Sequence, residues 1–174
     1  SQNRLEDCIN SDLANNFGNL CQRVTAFAEK NCSLIVPENK KFNEEDLVLL
    51  NKFTDNLSNI RQQIDKQNIN YYIEFIVNSL FEANKYFNDQ EPWKKKNDKD
   101  RLNTIVYTSL EVIRKVSYML YPIIPDTIKK TLKIFNLKTK DINFESIGKH
   151  DYLKSGNKLN KIPILFKKID KNDD

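Results

Sequence analysis

The chain reads as an all-α protein, a bundle of about five helices with an irregular C-terminal tail. Three observations carry that reading. Apolar residues recur at steps of three and four over long stretches, the spacing of a buried helix face. Glycine and proline are scarce, 3 and 5 in 174 residues, which argues for long helices and few tight turns. Neither an internal repeat nor a series of strand-like runs interrupts the pattern.

Each element follows from local chemistry. The first helix is expected from about Arg4 to Lys30, with Leu13, Phe17, Leu20, Val24 and Phe27 on its apolar stripe, and it ends before Pro37. The second starts at "NEED": Asn43 can cap, and Glu44, Glu45 and Asp46 suit the positive end of the helix dipole. Its stripe, Leu47, Leu50, Phe53, Leu57, Ile60 and Ile64, runs to about Gln67. A third helix, about Asn70 to Phe87, carries Ile73, Ile76, Val77, Leu80, Phe81 and Ala83, and Pro92 bars its continuation through "DQEPW". The fourth runs from about Asp98 to Tyr121 with Leu102, Ile105, Val106, Leu110, Ile113, Val116 and Leu120 inward. "LYPIIP" ends it, and a short fifth helix follows from Asp126 to Phe135. Beyond that the helical period is lost, and the remainder reads as a tail packed along the surface.

The composition, 39% hydrophobic with a mean hydropathy of -0.65, describes a polar-surfaced chain of 20.5 kDa able to bury one core. No apolar run is long enough to cross a bilayer, and no signal peptide opens the sequence. Cys8, Cys21 and Cys32 are odd in number and far apart, which suits a reducing cytoplasm and no CxxC zinc or redox motif. A net charge of +4 permits a polyanionic partner without requiring one. Catalytic machinery is absent from the pattern. The chain has 1 His, His150, in a loop-like region, and lacks a Gly-rich phosphate loop, HExxH and GxSxG. Neither a catalytic residue nor a metal ligand is expected in this chain, nor any bound cofactor, and alone it should catalyse nothing.

Two clusters ask for another explanation. Beside the apolar stripe of the first helix runs a polar row, Asn15, Asn19 and Arg23, at steps of four. Asn is a poor helix former because its amide competes for backbone hydrogen bonds. Such a row can fix the packing of neighbouring helices, read the exposed edges of unpaired bases, or dock a protein. The second cluster is "ANKYFNDQEPWKKK", Ala83 to Lys96, where the only tryptophan, Trp93, follows Pro92 at a helix end and precedes Lys94, Lys95 and Lys96. An indole there is either an anchor for the loop or a stacking face beside phosphate-seeking charge.

Together the clusters resemble the anticodon-binding helical domain of methionyl-tRNA synthetase, a class I aminoacyl-tRNA synthetase. The resembling stretches are "INSDLANNFGNLCQRV" (Ile9 to Val24), "ANKYFNDQEPWK" (Ala83 to Lys94), "LYPIIPDT" (Leu120 to Thr127) and "PILFKKID" (Pro163 to Asp170), in family order. "LYPxxP" is shared more loosely with the leucyl, isoleucyl and valyl relatives. The resemblance implies that Asn19 and Arg23 read base edges of the CAU anticodon, with Asn15 in support. It implies that Trp93 stacks on the wobble cytosine and that Pro92 holds the turn presenting it; Lys94, by its charge beside the indole, is the expected phosphate contact. It further implies two partners, the tRNA(Met) anticodon loop and a catalytic domain of the same parent chain. That parent would be a cytoplasmic methionine–tRNA ligase charging tRNA(Met) with ATP and magnesium.

The HIGH-like and KMSKS-like signatures and the zinc-bearing insertion are missing, so the sequence is expected to be a piece of a longer protein; the tail shows no appended oligonucleotide-binding domain. The expected division is an α-helical anticodon-binding domain over 1–148, then a tail over 149–174 packing on the bundle or on the catalytic domain. "ENKKFNEEDL" is not a family motif. The alternative function is a helical adaptor whose Asn/Arg row and Trp93 corner dock a protein.

Overall fold

The structure, a computed structural model, describes residues 2–161, with side chains from residue 10 onward. Five helices form the bundle: α1 (Gln2–Cys32), α2 (Glu44–Asp65), α3 (Ile69–Gln90), α4 (Lys99–Leu120) and α5 (Pro125–Leu132). Short 3-10 turns follow at Pro92–Lys94, Lys133–Phe135, Thr139–Asp141 and Phe144–Gly148. The closing "PILFKKID" and the side chain of Cys8 lie outside the described residues.

The helix starts obey their sequence. Asn43 and Asp46 exchange hydrogen bonds of 3.0 Å each, a reciprocal cap that satisfies two otherwise orphaned amides at the start of α2. Asn68 caps α3 and Asp98 caps α4 through their side-chain oxygens. The helix ends bring two corrections. Proline restricts the residue before it, not the one before that. Only Glu91 therefore leaves the helix, and α3 runs three residues past Phe87 to Gln90. Glu91 adopts the left-handed conformation, φ 47°. At the other end, the expected fifth helix tightens after Leu132 into the 3-10 turn Lys133–Phe135 and closes on Asn136 at φ 56°.

At the centre lies α4, which packs against all four other helices and against the Pro92–Lys94 and Phe144–Gly148 turns. Every residue from Thr104 to Leu120 is buried. The expected single apolar stripe is thus only part of its interior, because a helix enclosed on all sides has no solvent face to keep polar. Its buried polar groups are answered by neighbours. The Arg114 guanidinium pairs with Glu111 at 2.8 Å and donates to the carbonyls of Ser146 and Lys149. Glu111 also accepts the amides of Tyr152 and Leu153.

Elsewhere the expected stripes are partly wrong-sided. Ile64, Val77 and Phe81 have helical spacing yet are exposed, Phe81 by 69%. Past the turns, residues 149–161 lay Leu153 and Leu159 into the core. An isolated antiparallel bridge joins Ile35 to Lys158. His150, in its loop-like region, is half-buried and bonds Asn51 Oδ1 at 2.8 Å.

Candidate nucleic-acid interface

The two clusters meet. Arg23 on α1 and Trp93 on the turn after α3 are far apart in sequence, yet the Arg23 guanidinium lies 5.8 Å from the indole ring centre. It also lies 5.0 Å over the ring of Phe87, in the last turn of α3. Phe87 and Trp93 are themselves an edge-to-face pair, 6.1 Å apart at 60°. Cation–π contact and T-shaped packing are both favourable at these separations. Arg23 Nη2 donates to Asn88 Oδ1 as well. Phe87 and Asn88 belong to the quoted motif, but only the fold shows them touching Arg23.

Backbone chemistry explains why Trp93 points outward. Glu91 turns the chain left-handed, and Pro92, buried, opens the 3-10 turn with its fixed φ. The Lys94 amide donates to the Glu91 carbonyl at 2.9 Å and the Lys95 amide to the Pro92 carbonyl at 3.0 Å. The indole is left 41% exposed, an intermediate between anchor and free platform.

Along α1, Asn15 is half-buried and Asn19 exposed, and neither amide has a partner among the described residues. Arg23 is half-buried. A guanidinium has five N–H donors, so one bond to Asn88 leaves most of its capacity open. Lys94 is exposed and pairs with Glu91 at 2.6 Å, which holds its ammonium above the usual lysine range through that hydrogen bond and charge. A surface pair of this kind contributes little and yields readily to a stronger anion.

A buried cluster lies beneath the corner. Asp46, fully buried at the start of α2, takes Arg101 Nη1 at 2.7 Å and Nη2 at 2.9 Å, and also accepts from the Tyr86 hydroxyl. Read locally, Asp46 has only a dipole role; a partner 55 positions away leaves no local signal. Among the described residues no group of three His, Cys, Asp or Glu is placed to hold a metal ion. None of the described helices is long and apolar enough to cross a membrane.

A long all-α bundle with an amide row and a presented indole at one corner has the character of a helical nucleic-acid-reading domain. The sequence profile described as the anticodon binding domain of methionyl tRNA ligase matches residues 36–174, and the chain belongs to this family. Methionine–tRNA ligase of Thermotoga maritima is 33% identical over 99% of the chain and 28% of its own length. That of Mycobacterium leprae is 35% identical over 80% of the chain and 27% of its length. The free-state Mycobacterium tuberculosis methionyl-tRNA synthetase superposes with a TM-score of 0.84 at 30% identity, over 97% of this chain and 34% of that one. The form bound by methionyl-adenylate gives 0.82 at 31% identity, over 91% and 32%. The chain thus spans about a third or less of these relatives.

Proposed function

We propose that this chain reads the CAU anticodon of tRNA(Met) on behalf of a methionine–tRNA ligase, whose catalytic domain activates methionine with ATP and magnesium. One observation carries the reading: the Arg23 guanidinium and the Trp93 indole share one exposed corner, 5.8 Å apart. Base recognition needs both a flat face for an unstacked base and directional donors for its edge. Trp93 offers the face. Arg23 and Asn19 offer the donors, Asn15 supports them, Pro92 holds the turn, and Lys94 offers charge for a phosphate.

The test is titration of the full chain with a CAU stem-loop against single-base variants. Arg23→Ala and Asn19→Ala should each cost about 1–3 kcal/mol with the CAU loop and relax base preference. Lys94→Ala should weaken all loops alike and flatten the salt dependence. Equal losses on cognate and non-cognate loops for Arg23→Ala would remove its base-reading role. Indifference of the wild-type chain to every loop would favour protein docking instead.

A further inference from the structure

The cluster beneath the corner has a fuller wiring than stability requires. The Asp46 carboxylate accepts four hydrogen bonds, from the Asn43 amide, the Tyr86 hydroxyl and both Arg101 terminal nitrogens. Arg101 Nη2 goes on to Gln90 Oε1 at 2.7 Å. Gln90 is the last residue of α3, and its backbone carbonyl receives the Lys95 ammonium from the far side of the turn. Side chain and carbonyl are both held. Only Glu91 and Pro92 then separate Gln90 from Trp93.

Buried ion pairs are often no more stabilising than apolar replacements of the same volume, so stability alone is a weak reason for this one. Its geometry supplies another. The network draws on the start of α2, the end of α3 and the start of α4, and the last two flank the Pro92–Lys94 turn along the chain. The same last turns of α3 carry Phe87 and Asn88 to Arg23. We propose that the Asp46–Arg101 pair, acting through Gln90, is a positioning device that fixes the Trp93 face relative to Arg23 before any base arrives. A platform held in advance spares the ordering cost that binding would otherwise carry. The benefit to RNA rests on the anticodon reading; the immobilisation is a property of the free chain.

Trp93 is the only tryptophan, so its emission reports this corner alone. The experiment measures thermal melting and CAU stem-loop affinity on the full chain and four variants, Gln90→Ala, Gln90→Glu, Trp93→Ala and Gln90→Ala combined with Trp93→Ala, with time-resolved anisotropy on those that keep Trp93. Gln90→Ala leaves the Asp46–Arg101 pair intact, so melting should stay close to wild type. It should enlarge the fast motion of the indole and weaken the CAU loop by about 3- to 10-fold, the scale of immobilising one side chain. Gln90→Glu, whose carboxylate still accepts from Arg101, should restore both. Once Trp93 is Ala, removing Gln90 should change binding less than about 2-fold. Wild-type indole motion in Gln90→Ala overturns the proposal, as does a loss of binding that persists undiminished without Trp93. If wild-type chain ignores the CAU loop, the anticodon reading falls, and indole motion alone decides whether the network positions Trp93.

Discussion

Trp93 and Lys115 show how much one side chain's surroundings decide. Trp93 keeps 41% of its surface open and leans on Phe87 by an edge. Trp93→Ala should therefore destabilise the fold by roughly 1–2 kcal/mol, well below a fully buried tryptophan. CAU loop binding should fall by roughly 1–3 kcal/mol, and Trp93→Phe should regain part of it through its smaller π face. Melting and stem-loop titration of the same three proteins measure both. Lys115 is the opposite case. Its ammonium is enclosed, donates to the Ile147 and Lys149 carbonyls, and sits 5.7 Å from the Phe53 ring of α2. Burial first, then Arg114 beside it, hold it down to about 7, against the opposite pull of Glu111 and Asp151. Between about 7 and 10.5 the unfolded chain binds a proton that the folded chain does not, so stability should rise with pH by up to about 1.4 kcal/mol per unit. His150, also lowered by burial and by Lys115, adds a loss of stability as pH falls below its ordinary 6.5. Thiols raised by burial at Cys21 and Cys32 oppose the rise from about 9 upward, and raised hydroxyl groups at Tyr72, Tyr107 and Tyr118 turn the trend downward above about 10. Urea unfolding at pH 7, 7.5 and 8, below the range where the thiols oppose it, should show the rise in wild type and a nearly flat profile in Lys115→Met.

At the scale of elements, the helices were legible because their signals are local. A stripe at steps of three and four, a cap at Asn43 and two prolines after Leu120 need no distant partner. What was hidden needed one. Asp46 reads as a dipole residue until Arg101 and Tyr86 arrive on other helices, and α4 reads as one-sided until all four neighbours close around it. The corner was half legible: resemblance singled out Arg23 and Trp93, but spacing could not bring α1 against the end of α3, nor reveal Phe87 and Asn88 between them. Glu91 makes the junction itself testable. A side chain at φ 47° carries left-handed strain of about 1–2 kcal/mol that glycine escapes at some entropic cost. Glu91→Gly should melt no lower than wild type, whereas the β-branched Glu91→Val should lose more than about 1 kcal/mol. Equal melting of both variants would show that the turn carries no such strain.

For the whole molecule, the arrangement has a hub and an aromatic corner. Helix α4 gathers the other helices and, through Glu111, Arg114 and Lys115, holds the segment around residues 146–153 by its backbone. The corner sits where α1, the end of α3 and the turn before α4 converge, supported from within by Asp46 and Arg101. The enclosure of α4 also governs how this chain can vary. A helix with an outer face accepts most replacements there, so tolerance should rise and fall along α1, α2 and α3 once per turn. From Thr104 to Leu120 there is no outer face. A library carrying every single substitution, sorted by cellular abundance, should therefore show that rhythm in the outer helices and an unbroken intolerant stretch across those seventeen positions.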